Sequence, residues 1–307
     1  MSGDVNPYAH TPWRQTVHLA WLVGLASLAA CSNGATTPRP LDEGLASLPT
    51  DTGGVHLALP REPDTPGAAP YGLYLYLPAG LDMSPVPYPL LVFLHGSGER
   101  GDSAQDPAVL EAVLRNGPPQ LIERGVWAPP YPMIVASPQS HTESWDPEDV
   151  RALLVWIDRH YRIDRTRLYL TGLSRGGYGT WDYVGRYGGA VDDSLAIAAA
   201  APICGRGDPG QAAAMVTTPV WAFHGAADTV VPPSGSVEMV AALGALSPPT
   251  PPRLTLYAGV GHDSWSRTYG GEGLGEGMTA YADDPAADPW LTAYTPDLYQ
   301  WFFSHRR

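Results

Sequence analysis

The chain has 307 residues with many turn formers, 34 glycines and 33 prolines, yet 44% of the residues are hydrophobic and 10% are aromatic. That apolar content is enough for a buried core and excludes a wholly disordered chain. The net charge is −13, and the 18 basic residues are all arginines scattered without a basic run, which argues against nucleic-acid binding. Two cysteines exclude a disulfide-rich scaffold.

The N-terminus has the pattern of an export signal. Residues 16–30 form an apolar stretch after Arg14, and this stretch is shorter than the ~20 residues that a spanning helix needs. It ends in Leu-Ala-Ala before Cys31, which resembles the bacterial lipoprotein signal. The resemblance implies lipidation of Cys31, and Ser32 after the cysteine implies an outer-membrane location, with the lipid as the only membrane contact. The alternative is an ordinary cleaved signal followed by a chance cysteine.

From Val55 onward, strand-like and helix-like segments alternate. Two segments with alternating apolar and polar residues, VHLALP and YGLYLYLP, predict antiparallel strands half-exposed at a sheet edge. Six apolar runs are typical of strands buried in a parallel sheet: PLLVFLHG, PMIVASP, RLYLTG, LAIAAAAPI, PVWAFHG and RLTLYAG. Helical patterns lie between and after them: PAVLEAVLRNG, PEDVRALLVWIDRHY, residues 175–187, GSVEMVAALGAL and PDLYQWFFSH.

This alternation implies βαβ crossovers. The predicted fold class is α/β, a three-layer sandwich with a mostly parallel sheet and helices on both faces. The predicted organisation is a signal peptide at 1–30, a flexible tether at 31–54 that is rich in Pro, Thr, Ser and Gly, and one folded domain at 55–307. Ligands of such sheets bind beyond the carboxyl ends of the strands, so the residues that follow each strand are the site candidates.

The sequence GLSRGG at 172–177 follows a predicted strand and precedes a predicted helix. This context fits the G-x-S-x-G elbow, in which a sharp turn exposes a nucleophilic serine. The flanking glycines make room for close backbone packing, and the helix N-terminus favours developing negative charge. We therefore predict that Ser174 is a nucleophile.

Two further residues complete the expected constellation. Asp228 follows PVWAFHG, and His262 follows RLTLYAGVG. A carboxylate on the loop after a buried strand can fix the tautomer of an imidazole, which then serves as the base for a serine. The chain order Ser174, Asp228, His262 is that of the α/β-hydrolase arrangement and differs from the chymotrypsin and subtilisin orders. An alternative role for Asp228 is capping of the following helix.

The loop after PLLVFLHG begins SGERG. In folds with a serine elbow, this loop supplies the second backbone donor for an oxyanion. We predict that the backbone N–H groups of Ser97 and Arg175 form this pair and that Gly96 contacts substrate. Glu99 and Arg100 are expected to brace the loop as a pair.

Two other histidines and the second cysteine are predicted to be structural. His95 and His224 each precede a glycine at a strand end, where a structural role near the site is expected. Cys204 ends an apolar run and is expected to be a small buried residue rather than a nucleophile.

Five separated motifs resemble one family: LLVFLHGSGERGD, YLTGLSRGGYGTWD, APICGRGD, PVWAFHGAADTVVP and YAGVGHDSW. They are similar to the bacterial esterases called "predicted peptidases", which are close to the polyhydroxybutyrate-depolymerase, feruloyl-esterase and dienelactone-hydrolase branches of the α/β-hydrolases. The resemblance implies that residues 55–307 are a catalytic domain of a serine carboxylester hydrolase with Ser174, Asp228 and His262 as its triad. It also implies no metal or organic cofactor and an ester substrate, free or on a polymer, with a short-chain or aromatic (feruloyl or acetyl) group.

Two features depart from this family. Arg175 stands where relatives usually have methionine or another uncharged residue, and its guanidinium is expected to pair with an internal acid or with a substrate carboxylate. Residues 270–288 look like an insertion, either a mobile flap near His262 or a solvated loop. Trp145 and Trp265 are candidates for an aromatic acyl pocket.

Two alternatives to an esterase are kept. A peptidase of the prolyl-oligopeptidase type shares this fold, but the chain is too short to carry that family's propeller. The other is a non-catalytic surface lipoprotein that kept the fold for binding.

Overall fold

The computed structural model describes residues 43–190, 193–270, 278–280 and 297–307. In these residues a nine-stranded sheet has the order β1-β2-β4-β3-β5-β6-β7-β8-β9. Its strands are β1 (Val55–Leu59), β2 (Gly72–Leu77), β3 (Tyr88–Leu94), β4 (Ile134–Gln139), β5 (Ile163–Leu173), β6 (Ala199–Ile203), β7 (Trp221–Gly225), β8 (Arg253–Tyr257) and β9 (Met278–Ala280). Strands β3 to β8 pair in parallel, whereas β1, β2 and β9 are antiparallel to their neighbours.

Helices connect the parallel strands, as the alternating pattern predicts. The α-helices are α1 (Glu43–Ala46), α2 (Gly117–Glu123), α3 (Pro147–His160), α4 (Arg175–Tyr187), α5 (Ala212–Met215), α6 (Ser234–Ala245), α7 (Trp265–Gly270) and α8 (Leu298–Phe303). Short 3-10 helices cover Leu81–Met83, Ser97–Glu99, Pro107–Arg115 and Pro209–Gln211. In the described part of the chain, no helix combines the length and the apolar character needed to cross a membrane.

Strand β3 shows why the sheet is buried on both faces. Successive side chains of a strand point to opposite faces, and all seven residues of β3 are buried. Leu90 and Val92 belong to one apolar cluster, which includes residues of α3, α4 and α6, whereas Leu91 and Phe93 belong to the other, which includes α8. Two cores on opposite faces of one sheet confirm the predicted three-layer α/β sandwich.

Two of the predicted elements take a different form in the structure. Strand β2 is buried along its whole length, since it lies between β1 and β4. Of the two strands predicted at the edge, β1 alone lies there. The PAVLEAVLRNG segment forms a 3-10 helix rather than an α-helix.

The predicted tether at 31–54 extends too far along the chain. Leu45 is buried in the core cluster that includes α8. The Asp51 carboxylate accepts a hydrogen bond from the Tyr76 hydroxyl at 2.5 Å and one from the backbone N–H of Ala79 at 3.1 Å. Residues 43–54 therefore pack on the folded body instead of linking it to something else.

Candidate active site

Three loops meet above the carboxyl edge of the parallel strands. Ser174 directly follows β5, Asp228 lies three residues after β7, and His262 lies five residues after β8. Because neighbouring parallel strands end at the same edge of a sheet, residues far apart in sequence come together there.

The turn at Ser174 has a backbone conformation that a non-glycine residue rarely adopts. Its φ is 50° and its ψ is −114°, and such strained residues cost about 1–3 kcal/mol and cluster at active sites. The Ser174 N–H donates to the carbonyl of Ile203 at 2.9 Å, which fixes the turn to the adjacent strand. A Cβ on Gly176 would lie 1.8 Å from the Leu94 carbonyl oxygen, so the elbow needs glycine there.

The three predicted side chains form one hydrogen-bonded chain. His262 Nε2 lies 2.9 Å from Ser174 Oγ, and His262 Nδ1 lies 2.7 Å from Asp228 Oδ2. A carboxylate can only accept, so Nδ1 carries the ring proton and Nε2 accepts from the serine hydroxyl. In this tautomer, the imidazole is ready to remove the serine proton.

The carboxylate of Asp228 is kept ionised by its surroundings. Burial alone would raise its pKa, but hydrogen bonds from His262 and from the backbone N–H groups of Val231 and Val230 outweigh that effect, and the pKa is lowered from its usual value. The two backbone bonds, at 3.0 and 2.8 Å, both end on Oδ1 and leave Oδ2 for the histidine. The side chain has no solvent exposure, so its orientation is held by these contacts.

A second histidine, His224, supports the same carboxylate. Its Nε2 lies 3.2 Å from Asp228 Oδ2 and 2.9 Å from the Val231 carbonyl oxygen, and its Nδ1 lies 2.8 Å from Ser236 Oγ. Burial lowers the pKa of His224. The ring is fully buried, so its location agrees with the predicted structural role near the site.

Both predicted oxyanion donors line one small cleft beside the elbow. Ser97 begins a 3-10 turn after β3, and Arg175 is the first residue of α4. The first N–H groups of a helix have no acceptor within the helix, and among the described residues neither the Ser97 nor the Arg175 N–H donates to a protein acceptor. The cleft has a volume of about 120 Å³, and Gly96 also lines it.

The charged residues of this cleft are arranged differently from the prediction. Glu99 and Arg100 are not a pair: the Arg100 guanidinium binds the carboxylate of Glu143, and the buried Glu99 accepts from the side-chain amide of Asn116. Arg175 donates to the backbone carbonyl of Glu143. Among the described residues, no carboxylate pairs with the Arg175 guanidinium, and Glu143, whose backbone carbonyl it binds, turns its side chain toward Arg100.

The two tryptophan candidates occupy different environments. Trp145 borders the cleft, but it is only 3% exposed and its Nε1–H donates to the His95 carbonyl at 3.1 Å, so most of its ring belongs to the core. Trp265 is half-buried, and its ring meets the His262 ring edge-on with centroids 5.4 Å apart. Its Nε1–H donates to Asn116 Oδ1 at 3.1 Å.

Sequence reasoning missed Asn116. It lies at the end of a segment whose apolar pattern indicates only a helix, and its two side-chain bonds join segments that are distant in sequence. No local pattern could have revealed it.

Cys204 lies directly behind the elbow. It is fully buried, as predicted, and its sulfur accepts a hydrogen bond from the Ser174 N–H at 3.2 Å. Burial raises the pKa of its thiol to about 12, so it is a neutral packing residue.

Several predictions fall outside the described residues. Cys31 and the leader lie there, as does most of the 270–288 segment. Of that segment, Gly270 ends α7 and Met278–Ala280 forms β9, which pairs antiparallel with β8. In the described ranges, no three His, Cys, Asp or Glu side chains converge to hold a metal ion.

No family model matches the sequence, and no curated protein is significantly similar to it. Among solved structures, a thermostable esterase is 26% identical with a TM-score of 0.54, covering 86% of this chain and 64% of its own. The chain thus spans less than two thirds of that protein.

Two more distant structures are also similar to this chain. The acetyl xylan esterase from Aspergillus awamori is 17% identical (TM-score 0.49, 69% of this chain, 95% of that chain). A serine-to-alanine mutant of the feruloyl esterase module from Clostridium thermocellum, complexed with sinapinate, is 16% identical (TM-score 0.49, 75% of this chain, 89% of that chain).

Proposed function

We propose that this chain, which has the α/β-hydrolase fold, is a serine carboxylester hydrolase that works through an acyl-enzyme. The observation that supports this most strongly is the unbroken chain of hydrogen bonds from Ser174 Oγ through His262 to Asp228. The similarity in fold to a solved thermostable esterase is consistent with it.

The first half of the reaction uses the ring nitrogen that faces the serine. His262 Nε2 takes the hydroxyl proton of Ser174 as Oγ attacks the ester carbonyl, and Asp228 stabilises the resulting imidazolium. The carbonyl oxygen becomes an oxyanion and accepts from the free N–H groups of Ser97 and Arg175. Each such donor is typically worth about 3–4 kcal/mol in the transition state.

The first half ends when His262 gives its proton to the leaving alcohol and the acyl group stays on Ser174. The second half repeats these roles with water. A water molecule then gives a proton to Nε2 and attacks the acyl carbonyl. As the acid leaves, Nε2 passes that proton to Ser174 Oγ and restores the serine hydroxyl.

Two observations favour small or aromatic esters over long-chain lipids as substrates. Between β6 and β7, where many lipases carry a large lid, the chain has only two short helical turns, Pro209–Gln211 and Ala212–Met215. The cleft beside the donors has a volume of about 120 Å³. We therefore infer that the preferred acyl group is short or aromatic, such as acetyl or feruloyl.

The test is hydrolysis of p-nitrophenyl acetate and methyl ferulate by the wild-type protein and by Ser174→Ala. We expect the substitution to lower kcat by roughly 10⁴–10⁶-fold with an unchanged thermal melting curve. Ser266→Ala removes an exposed serine hydroxyl four residues after His262 in the sequence and is the matched control. Near-normal turnover by Ser174→Ala, or faster cleavage of a peptide anilide than of any ester, would reject the proposal.

We further propose that the protein is exported and lipidated at Cys31. The support is the leader pattern of the sequence. In a bacterial host, the wild-type chain should incorporate labelled palmitate and the Cys31→Ser variant should not. Equal labelling of the two would reject lipidation at Cys31.

A further inference from the structure

The cleft beside the elbow has a local excess of positive charge, although the chain as a whole is acidic. The whole chain has 31 acidic and 18 basic residues. In contrast, the residues around this one cleft include two guanidinium groups, Arg100 and Arg175, and a single carboxylate, Glu143. The cleft therefore has a net excess of positive charge, and such an excess raises the local concentration of anions.

The carboxylate does not satisfy both guanidinium groups. The Glu143 carboxylate pairs with Arg100, whereas Arg175 binds only the Glu143 backbone carbonyl. A guanidinium has five N–H donors in a planar fork, and among the described residues the one hydrogen bond of the Arg175 side chain goes to that carbonyl. Its remaining donors are therefore free to bind a ligand.

The Arg100–Glu143 pair is also easily replaced. The side chains of Arg100 and Glu143 are 45% and 80% exposed, and exposed ion pairs contribute about 0–1 kcal/mol at most because water and salt screen them. A ligand carboxylate can displace Glu143 with little loss of stability.

The position of Arg175 sets where such a ligand lies. It directly follows Ser174, and Ser97 and Gly96 line the same cleft. An anion bound by Arg175 and Arg100 would therefore lie beside the place where the ester carbonyl binds, within reach of a carboxylate on the same substrate.

We propose that this site acts on esters that carry a carboxylate close to the scissile carbonyl, and that Arg175 and Arg100 bind that carboxylate. This inference rests on the proposed esterase function and names its substrate class. The guanidinium fork of Arg175 supplies charge-assisted hydrogen bonds, and Arg100 adds a second positive charge.

The test compares two esters with the same leaving group, p-nitrophenyl hemisuccinate and p-nitrophenyl butyrate. The ratio of their kcat/KM values, hemisuccinate over butyrate, is measured for the wild type and three variants, so that intrinsic ester reactivity cancels. Arg100→Met and Arg175→Met should each lower the ratio by about 10–100-fold, the range for a hydrogen bond to a charged group. Glu143→Gln should raise it, because a competing carboxylate is lost.

Salt and direct binding give two further readouts. Raising NaCl should lower kcat/KM for the hemisuccinate and leave the butyrate value unchanged, since only the first depends on charge. Calorimetric titration of monomethyl succinate into Ser174→Ala should show binding that is lost in the double variant with Arg100→Met. This measurement needs no turnover.

The outcomes separate the two proposals. A ratio that stays the same in all variants, together with normal butyrate hydrolysis, overturns carboxylate recognition and leaves the esterase intact. Absence of turnover for both esters overturns the esterase function, and the calorimetric titration then decides on the carboxylate site alone.

Discussion

The indole Nε1–H of Trp265 donates to Asn116 Oδ1 at 3.1 Å, across 149 residues of sequence. The amide of Asn116 in turn binds the carboxylate of Glu99, which lies in the loop of the predicted oxyanion donor Ser97. Asn116 therefore connects the segment that carries the predicted base to the loop that carries the predicted donor. The edge-on contact of Trp265 with the His262 ring makes this connection relevant to the position of the imidazole.

Trp265→Phe keeps a ring against His262 and removes only the N–H. The net value of one hydrogen bond is about 1 kcal/mol, so we expect kcat to fall about fivefold with little change in KM. Trp265→Ala also removes the ring contact and should lower kcat further. Equal kcat values for the wild type and both variants would show that this bond does not position His262.

Asp228→Asn tests the assigned tautomer of the histidine. The amide can still accept from the backbone N–H groups of Val230 and Val231, but its NH₂ group cannot accept the Nδ1 proton of His262. We expect kcat for p-nitrophenyl acetate to fall about 10⁴-fold, as loss of tautomer control does in triad enzymes. Denaturant unfolding checks that the fold persists, and a loss below tenfold would contradict the role of Asp228.

Gly176 and Gly244 provide a matched pair for the close packing of the elbow. A Cβ on Gly176 would meet the Leu94 carbonyl, whereas a Cβ on Gly244 in α6 would meet nothing within 4 Å. Gly176→Ala should lower the free energy of unfolding by about 1–3 kcal/mol or more. Gly244→Ala should leave it unchanged or raise it by up to about 1 kcal/mol. Equal effects of the two substitutions on denaturant midpoints would show that the elbow is not tightly packed.

His95 makes folding stability depend on pH. Burial lowers the pKa of His95 to about 4, and its Nε2 accepts from the Ser140 N–H at 2.9 Å, a bond that protonation would remove. Between pH 6.5 and 4 the unfolded chain binds a proton at this residue and the folded chain does not, so stability falls as pH falls through this window and is unaffected above it. This difference in pKa between the unfolded and folded chains corresponds to about 3 kcal/mol of unfolding free energy.

His95→Gln keeps an acceptor for Ser140 but cannot titrate. The slope of unfolding free energy against pH should therefore be smaller between pH 4 and 6.5 in this variant than in the wild type. A smaller slope remains, because burial also lowers the pKa values of His56, His224 and His305. Parallel curves for the two proteins would contradict the assignment.

The sequence predicts the sheet well because its central strands are unambiguous. A continuous apolar run such as Tyr88–Leu94 can be stable only when it is covered on both faces. The prediction for strand β2 was wrong because alternation of Leu and Tyr resembles a half-exposed strand, although large tyrosine rings can also be buried. The packing of residues 43–54 could not be foreseen, since it depends on the long-range bond between Asp51 and Tyr76.

The site was predictable where backbone geometry controls chemistry. Ser174, Asp228 and His262 follow strand ends, and topology alone brings such positions together. The partners of Arg100 and Arg175 were not predictable, because long side chains on loops choose partners by distances that no sequence spacing encodes. The distance from Trp265 to Asn116 is of the same kind.

The central claim is that Ser174 carries the acyl group during turnover. Its most direct test is reaction of the wild-type protein with a fluorophosphonate, followed by intact-mass measurement and peptide mapping. We expect one adduct per chain, located on Ser174, with loss of esterase activity in proportion to labelling and no adduct in Ser174→Ala or after prior unfolding. An adduct on another residue, or continued ester hydrolysis by the fully labelled protein, would contradict the account.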